Sequence, residues 1–198
     1  MNRTEQILKL AKEKGIIQAN DLEPLGIARN YLYKLRKEGL LNKAARGMYM
    51  LPNAPITENQ NFIEIAKKIP NAVVCLISAL SFHGITTQIP HEIWIAVPRD
   101  TWRPSMDYPP LHYTVLTENV YNFGIQEENI NGTIVKIYSP AKTIADCFKF
   151  RNIVGVDVAI EALREVWRSR KATMDELAEA AEVNRVSKIM RPYLEAIV

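Results

Sequence analysis

Residues 27–38 narrow the possible folds of this chain more than any other stretch. At about 100° of turn per residue, Ala28, Tyr31, Leu32, Leu35 and Gly39 gather on one side of a helix. Asn30, Tyr33, Lys34 and Lys37 gather on the other, with Arg29 and Arg36 on the flank. Such a helix must pack its apolar side on a small core and leave a cationic, amide-bearing side free. What surrounds it supplies that core. Thr4–Lys14 carries Ile7, Leu8, Leu10 and Ala11 at helical spacing and stops at Gly15, as a helix stops at a C′ glycine. Ile16-Ile17 is a brief β stretch, and Asn20 with Glu23 predicts the capping box of a short helix ending near Leu25-Gly26. Leu40–Ala44 and Gly47–Leu51 then predict a hairpin turning at Ala45-Arg46-Gly47. Helix, short helix, third helix and hairpin in that order make residues 1–52 a winged helix-turn-helix.

Charge follows the same boundary. Residues 1–52 hold ten Lys/Arg against five acids, a net of +5, although the whole chain carries only +3. The remaining 146 residues hold 15 cations and 17 anions. A local basic face attracts a polyanion far better than diffuse charge does. In the major groove Arg pairs with guanine edges and Asn with adenine, while Lys and Tyr reach phosphates. The expected DNA-contacting set is therefore Arg29, Asn30, Tyr33, Lys34, Arg36 and Lys37 on the third helix, with Lys43 and Arg46 on the hairpin. The N-terminal residues of the helix should lie deepest.

Residues 53–198 read as a second, α+β domain: a small mixed sheet followed by a helical bundle. Leu51-Pro52-Asn53-Ala54-Pro55 is a stiff linker, and Thr57 with Gln60 predicts the capped start of a helix reaching about Ile69. Strands are expected at 72–77, 92–97, 111–116 and 132–137, with a short helix at 78–83. Helices are expected at about 140–150, 156–169, 173–182 and 184–197. Ser139-Pro140 supplies an N-cap and N1 proline, Thr173 to Glu176 a capping box, and Pro192 an expected kink or split. The 23 residues from Ile69 to His91 lack any Asp, Glu, Lys or Arg and are long enough to span a bilayer. Prolines, Gly84 and polar residues punctuate them, so a buried strand and short helix fit better. Cys75 and Cys147 sit among apolar neighbours and read as buried, reduced thiols. With no signal-peptide pattern at residues 1–5, the expected location is the cytoplasm.

No catalytic constellation emerges, and the expectation is a protein that is not an enzyme and needs no cofactor or metal. His83 and His91 lack a third ligand at metal spacing and read as structural or capping. Asp100 and Asp107 lie in the proline-rich loop 98–110 without the Glu-x-Lys a nuclease would place on a strand. Lys142 and Asp146 read as a surface i,i+4 ion pair. Arg99, Trp102, Arg103 and Asp107 make that loop the most partner-like surface, since Arg and Trp are typical interface anchors. A metal-dependent nuclease or a protein-binding adaptor carrying a winged-helix module are the alternatives.

Several segments resemble the AbiEi family of antitoxin regulators from abortive-infection, type IV toxin–antitoxin systems. The winged-helix portion, Gly26 through Leu32, Gly39-Leu40-Leu41 and Arg46 to Tyr49, is similar but generic. More specific are Ser78 to Gly84, Thr87 to Trp94, Ser139 to Phe148, and Met190 to Ala196. The resemblance implies a phage-defence protein whose winged helix binds inverted repeats in its own promoter and represses transcription. It also implies that residues 53–198 form an antitoxin domain counteracting a nucleotidyltransferase-like toxin, without stable direct binding between the two. Two copies would meet on an inverted repeat, as monomers or as a weak dimer.

Overall fold

The computed structural model describes residues 2–54, 59–88, 90–106 and 110–197, with eleven α-helices and two small sheets among them. They form two compact units: Met1–Pro70 with Glu128–Val135, and Asn71–Glu127 with Lys136–Val198.

In the first unit, helix α1 (Arg3–Lys14) opens on a capping box: Glu5 N–H donates to Asn2 Oδ1 at 2.8 Å and Asn2 N–H to Glu5 Oε2 at 3.0 Å. Strand β1 (Ile16–Gln18) leads into α2 (Ala19–Leu22). That short helix starts earlier than the sequence predicts. Gln18, not Asn20, is its N-cap, and the Asp21 carboxylate accepts from Gln18 N–H at 2.8 Å. Asp21 takes this place because Lys14 Nζ, at 2.7 Å, and Lys67 Nζ, at 2.9 Å, also donate to it. Glu23 instead opens a 3-10 turn, Glu23–Leu25.

Helix α3 (Asn30–Lys37) begins three residues later than its periodicity suggests, because Ile27 is buried in the preceding turn and donates to Leu22 O at 3.2 Å. At its other end Gly39 N–H donates to Arg36 O at 3.1 Å and Leu40 N–H to Leu35 O at 2.9 Å. This paired ending needs a left-handed residue, and Gly39 supplies it at φ 75° without a Cβ clash. Strands β2 (Asn42–Ala45) and β3 (Met48–Met50) form the expected hairpin, and β1 adds to β3, giving an antiparallel sheet of order β1-β3-β2. Ile7, Ala11, Ile17, Leu22, Ile27, Leu32, Leu35 and Leu41 make one core. Burying a leucine or isoleucine there contributes about 1.5–3 kcal/mol. Helix α4 (Gln60–Lys68) belongs to the same unit; the cap expected at Thr57 lies outside the described residues.

The second unit is built on a mixed sheet, except that the adjoining ends of its last two strands, within Glu128–Val135, fall in the first unit. Its strands are β4 (Val73–Val74), β5 (Ile93–Pro98), β6 (Leu111–Leu116), β7 (Ile125–Ile130) and β8 (Thr133–Tyr138), in the order β6-β5-β4-β8-β7. β4 runs antiparallel to β5 and parallel to β8, while β5 and β6 are parallel. Three of the strands fall where expected, and the one expected at 72–77 is cut to Val73–Val74 because a helix already begins at Leu76. β7 is additional: its polar run Gln126-Glu127-Glu128-Asn129 carries no apolar alternation, and it survives as an edge strand, where charge is tolerated. Helices α5 (Leu76–Phe82) and α6 (Glu118–Asn122) lie between strands. No helix of the described residues is long and apolar enough to cross a membrane, and the uncharged stretch holds β4 and α5.

From Ser139 the chain is helical: α7 (Pro140–Lys149), α8 (Arg151–Val154), α9 (Val156–Arg168), α10 (Met174–Val183) and α11 (Ser187–Ile197). Ser139 and the Thr173–Glu176 box cap α7 and α10 as predicted. Pro192 does not split the last helix; it sits inside an unbroken α11. Buried Met190 and the packing of Ile189, Tyr193, Leu194 and Ile197 on the core hold the helix through the missing hydrogen bond.

Helix α7 is the centre of this unit. Every residue from Ala141 to Phe148 is buried, because α5, α9 and α10 all pack on it. Lys142 and Asp146 are therefore not the surface pair the sequence suggested. Their side chains are 0% and 1% exposed, 2.5 Å apart, and Lys142 Nζ also donates to Asn184 Oδ1 at 3.3 Å. The fit is tight: a Cβ on Gly124 would come within 2.7 Å of Lys142 Cβ. Burial pushes the Asp146 carboxyl up from its ordinary value, and the Lys142 ammonium pulls it back only in part. Cys75 and Cys147 are free and buried, and burial raises both thiols.

Candidate nucleic-acid interface

The face of α3 opposite Leu32 and Leu35 is open. Leu32 and Leu35 are 2% and 0% exposed, while Tyr33, one residue away, is 64% exposed. Arg29, Asn30, Lys34, Arg36 and Lys37 are all exposed with it. Ala28, expected on the buried side, is exposed because it precedes the helix. Between Glu23 and Glu38 the chain has four cations and no acid. Among the described residues the ion pair on this face is Lys34 with Glu38, 3.9 Å apart across an exposed helical turn, a pairing worth a few tenths of a kcal/mol. The field of Arg29, Arg36 and Lys37 is thus left uncancelled.

Two contacts fix the orientation of this face. The guanidinium of Arg3 donates to the Tyr31 hydroxyl at 3.3 Å and lies 5.8 Å from the ring centroid, tying the start of α1 to the flank of α3. That hydrogen bond, aided by the charge of Arg3, holds the Tyr31 phenol below its usual range. Asp21 does the same for α2. Burial raises its carboxyl, but hydrogen bonds from Lys14, Lys67 and the Gln18 N–H outweigh it and leave the group below its ordinary value. Neither contact was read from the sequence, since 28 residues separate Arg3 from Tyr31 and 46 separate Lys67 from Asp21.

On the hairpin, Lys43 and Arg46 are exposed, Lys43 opposite Tyr49 in the ladder and Arg46 in the turn. The structure thus brings the eight expected cationic and polar residues to the surface of one unit. In the second unit Arg99, Trp102 and Arg103 are exposed, Trp102 to 78%. Asp107 lies outside the described residues. The loop is anchored beside them, where the Tyr113 hydroxyl donates to the carbonyl of buried Pro104 at 2.6 Å. His83 is structural as expected, its Nε2–H donating to Tyr138 O at 2.7 Å, and His91 is exposed. Among the described residues no group of three or more His, Cys, Asp or Glu side chains could hold a metal ion.

Residues 5–52, which span this interface, match the family model of AbiEi antitoxin transcriptional regulators. The fold is similar to the crystal structure of the RV2827C protein from Mycobacterium tuberculosis, with a TM-score of 0.60 at 12% identity, over 97% of this chain and 80% of that one. No curated protein matches the sequence.

Proposed function

We propose, taking the match to AbiEi antitoxin transcriptional regulators as the premise, that residues 1–52 act as a winged helix-turn-helix that binds duplex DNA. In this reading α2 and α3 are the helix-turn-helix and β2–β3 is the wing. The observation that carries it is the exposed, uncancelled cationic face of α3, set on a core that buries Leu32 and Leu35. A major groove admits one helix and offers acceptors to Arg and paired donor and acceptor edges to Asn. Arg29 and Asn30, at the start of α3, take the base-reading positions. Tyr33, Lys34, Arg36 and Lys37 hold phosphates along the groove, and Lys43 and Arg46 hold the flanking backbone. Phosphate contacts set register and affinity, and the two N-terminal residues set sequence preference.

The family match supports the larger role: a cytoplasmic autorepressor of its own operon that binds inverted repeats, one copy per half-site. Residues 53–198 serve as the antitoxin domain opposing a nucleotidyltransferase-like toxin, with Arg99, Trp102, Arg103 and Asp107 as its candidate partner surface. The test is a gel-shift on DNA upstream of its own gene, paired with a reporter driven by the same DNA. Retardation and repression, both lost in Arg29→Ala/Asn30→Ala, are the expected outcome. Retardation that survives this change rejects the site, and no preference for upstream over scrambled DNA rejects the function.

A further inference from the structure

A cleft of about 390 Å³ lies in the second unit where the C-terminal ends of β6, α7 and α10 converge. Its polar lining is Lys149, Arg185, Asn119, Asn184 and Thr117; Phe150 and aliphatic residues such as Leu116 and Val120 make up the rest. Among the described residues, two cations and no carboxylate line it. The larger 830 Å³ groove beside α9 differs, since Asp157, Glu161 and Glu165 there face Arg164 and Arg168 and the charges offset one another.

Two features give the smaller cleft a built interior. Asn184 is 2% exposed, and its amide is fixed on both sides: Oδ1 accepts from buried Lys142, and Nδ2 donates to Ala180 O at 3.0 Å. The inner wall is therefore a fixed amide, and these two bonds use only one of its two N–H donors. At the rim, Arg185 occupies the left-handed position that ends α10, at φ 58°, with its N–H on Glu182 O and Val186 N–H on Ala181 O. Glycine is the residue this ending favours. An arginine here keeps the strained backbone and places a guanidinium at the cleft. Arg170 ends α9 in the same way at φ 54°, but it does not line the cleft, so the two arginines share the strain and differ in location.

We propose that this cleft binds a small organic phosphate, an anion with an aromatic or aliphatic body. Arg185 and Lys149 take the phosphate, Arg by its planar fork and Lys as a point charge. Asn184 donates to it from inside, and Phe150, Leu116 and Val120 cover the apolar part. The site is independent of α3 and of DNA.

The probe is phenyl phosphate, titrated into the full chain and followed by calorimetry and by amide NMR shifts, with inorganic phosphate and phenol as comparisons. Saturable binding of phenyl phosphate, tighter than either comparison, is expected. Arg185→Gly and Lys149→Ala should each weaken it about tenfold, the loss of one charge-assisted hydrogen bond. Arg170→Gly and Arg29→Ala should leave it unchanged. Glycine suits the left-handed backbone at this position, and loss of binding by Arg185→Gly is expected with an unchanged unfolding midpoint, which separates the site from the fold. Absence of saturation, equal binding of inorganic phosphate, equal effects of Arg170→Gly and Arg185→Gly, or abolition by Arg29→Ala would each overturn the proposal.

Discussion

Lysine is put to opposite uses in the two units. Lys34 and Lys37 stand in solvent on α3, while Lys142 is sealed inside the second unit against Asp146 and Asn184. An exposed ammonium keeps its hydration, adds little to stability, and remains available to a phosphate. A buried one has lost its water and is tolerable only because its partners are in place. Charge on the surface of the first unit is thus free to meet a ligand, and charge inside the second is committed to the fold.

The largest expected effect lies on the buried side. Asp146→Ala leaves the Lys142 ammonium without its counter-ion and should lower stability by about 3–5 kcal/mol, measured by urea unfolding. Replacing both partners, as in Lys142→Met/Asp146→Leu, should recover most of that loss. A single variant within about 1 kcal/mol of wild type would mean the pair does not hold α7.

On the exposed side, Arg29→Ala or Asn30→Ala should cost about 1–3 kcal/mol of DNA affinity and relax sequence preference. The unfolding midpoint should not move. If stability falls instead, these side chains belong to the fold and the contrast with Lys142 disappears.

Asp21 lies between these extremes, half-buried with two lysine partners. Its carboxyl is depressed in the folded chain, so the folded state binds its proton less readily than the unfolded one. Its stabilisation is therefore present above the unfolded carboxylate value, about 4, and is lost as pH falls through the lower folded value. Asp21→Asn should lower stability at pH 7 and shrink the acid-induced loss below pH 4. An unchanged acid limb would show that Lys14 and Lys67 contribute nothing through it.

The smallest effect is a change of slope. Lys37→Ala should flatten the dependence of log K on log salt by about 0.9 and weaken all duplexes alike. Weakening confined to one sequence would move Lys37 from the phosphates to the bases.

The same contrast explains what could be read from the sequence. The open face of α3 was legible because Leu32 and Leu35 recur at helical spacing while every cation falls elsewhere, and a pattern confined to eight residues needs no knowledge of the rest. The β2–β3 turn and the Ser139 and Thr173 caps were legible for the same local reason. Lys142 and Asp146 were not, because an i,i+4 pair has the same spacing on an open helix as on an enclosed one. Only the packing of α5, α9 and α10 around α7 decides which it is. At about 100° per residue, Ala141, Thr143, Ile144, Ala145, Cys147 and Phe148 fill one broad side of the helix and Lys142 and Asp146 fall on the other, the pattern of an ordinary amphipathic surface helix. The Asp21 cluster and strand β7 depended on partners distant in the chain, and Arg3 met Tyr31 by the same route.

The most direct test of the central claim is fluorescence anisotropy of a labelled upstream duplex, titrated with the full chain at several salt concentrations. Arg29→Ala, Asn30→Ala and Lys34→Ala are combined in one variant for comparison. The account predicts tight, steeply salt-dependent binding by the wild type that exceeds binding to a scrambled duplex. It predicts loss of both the affinity and the preference in the triple variant, whose unfolding midpoint stays put. Equal binding by the two proteins would contradict it.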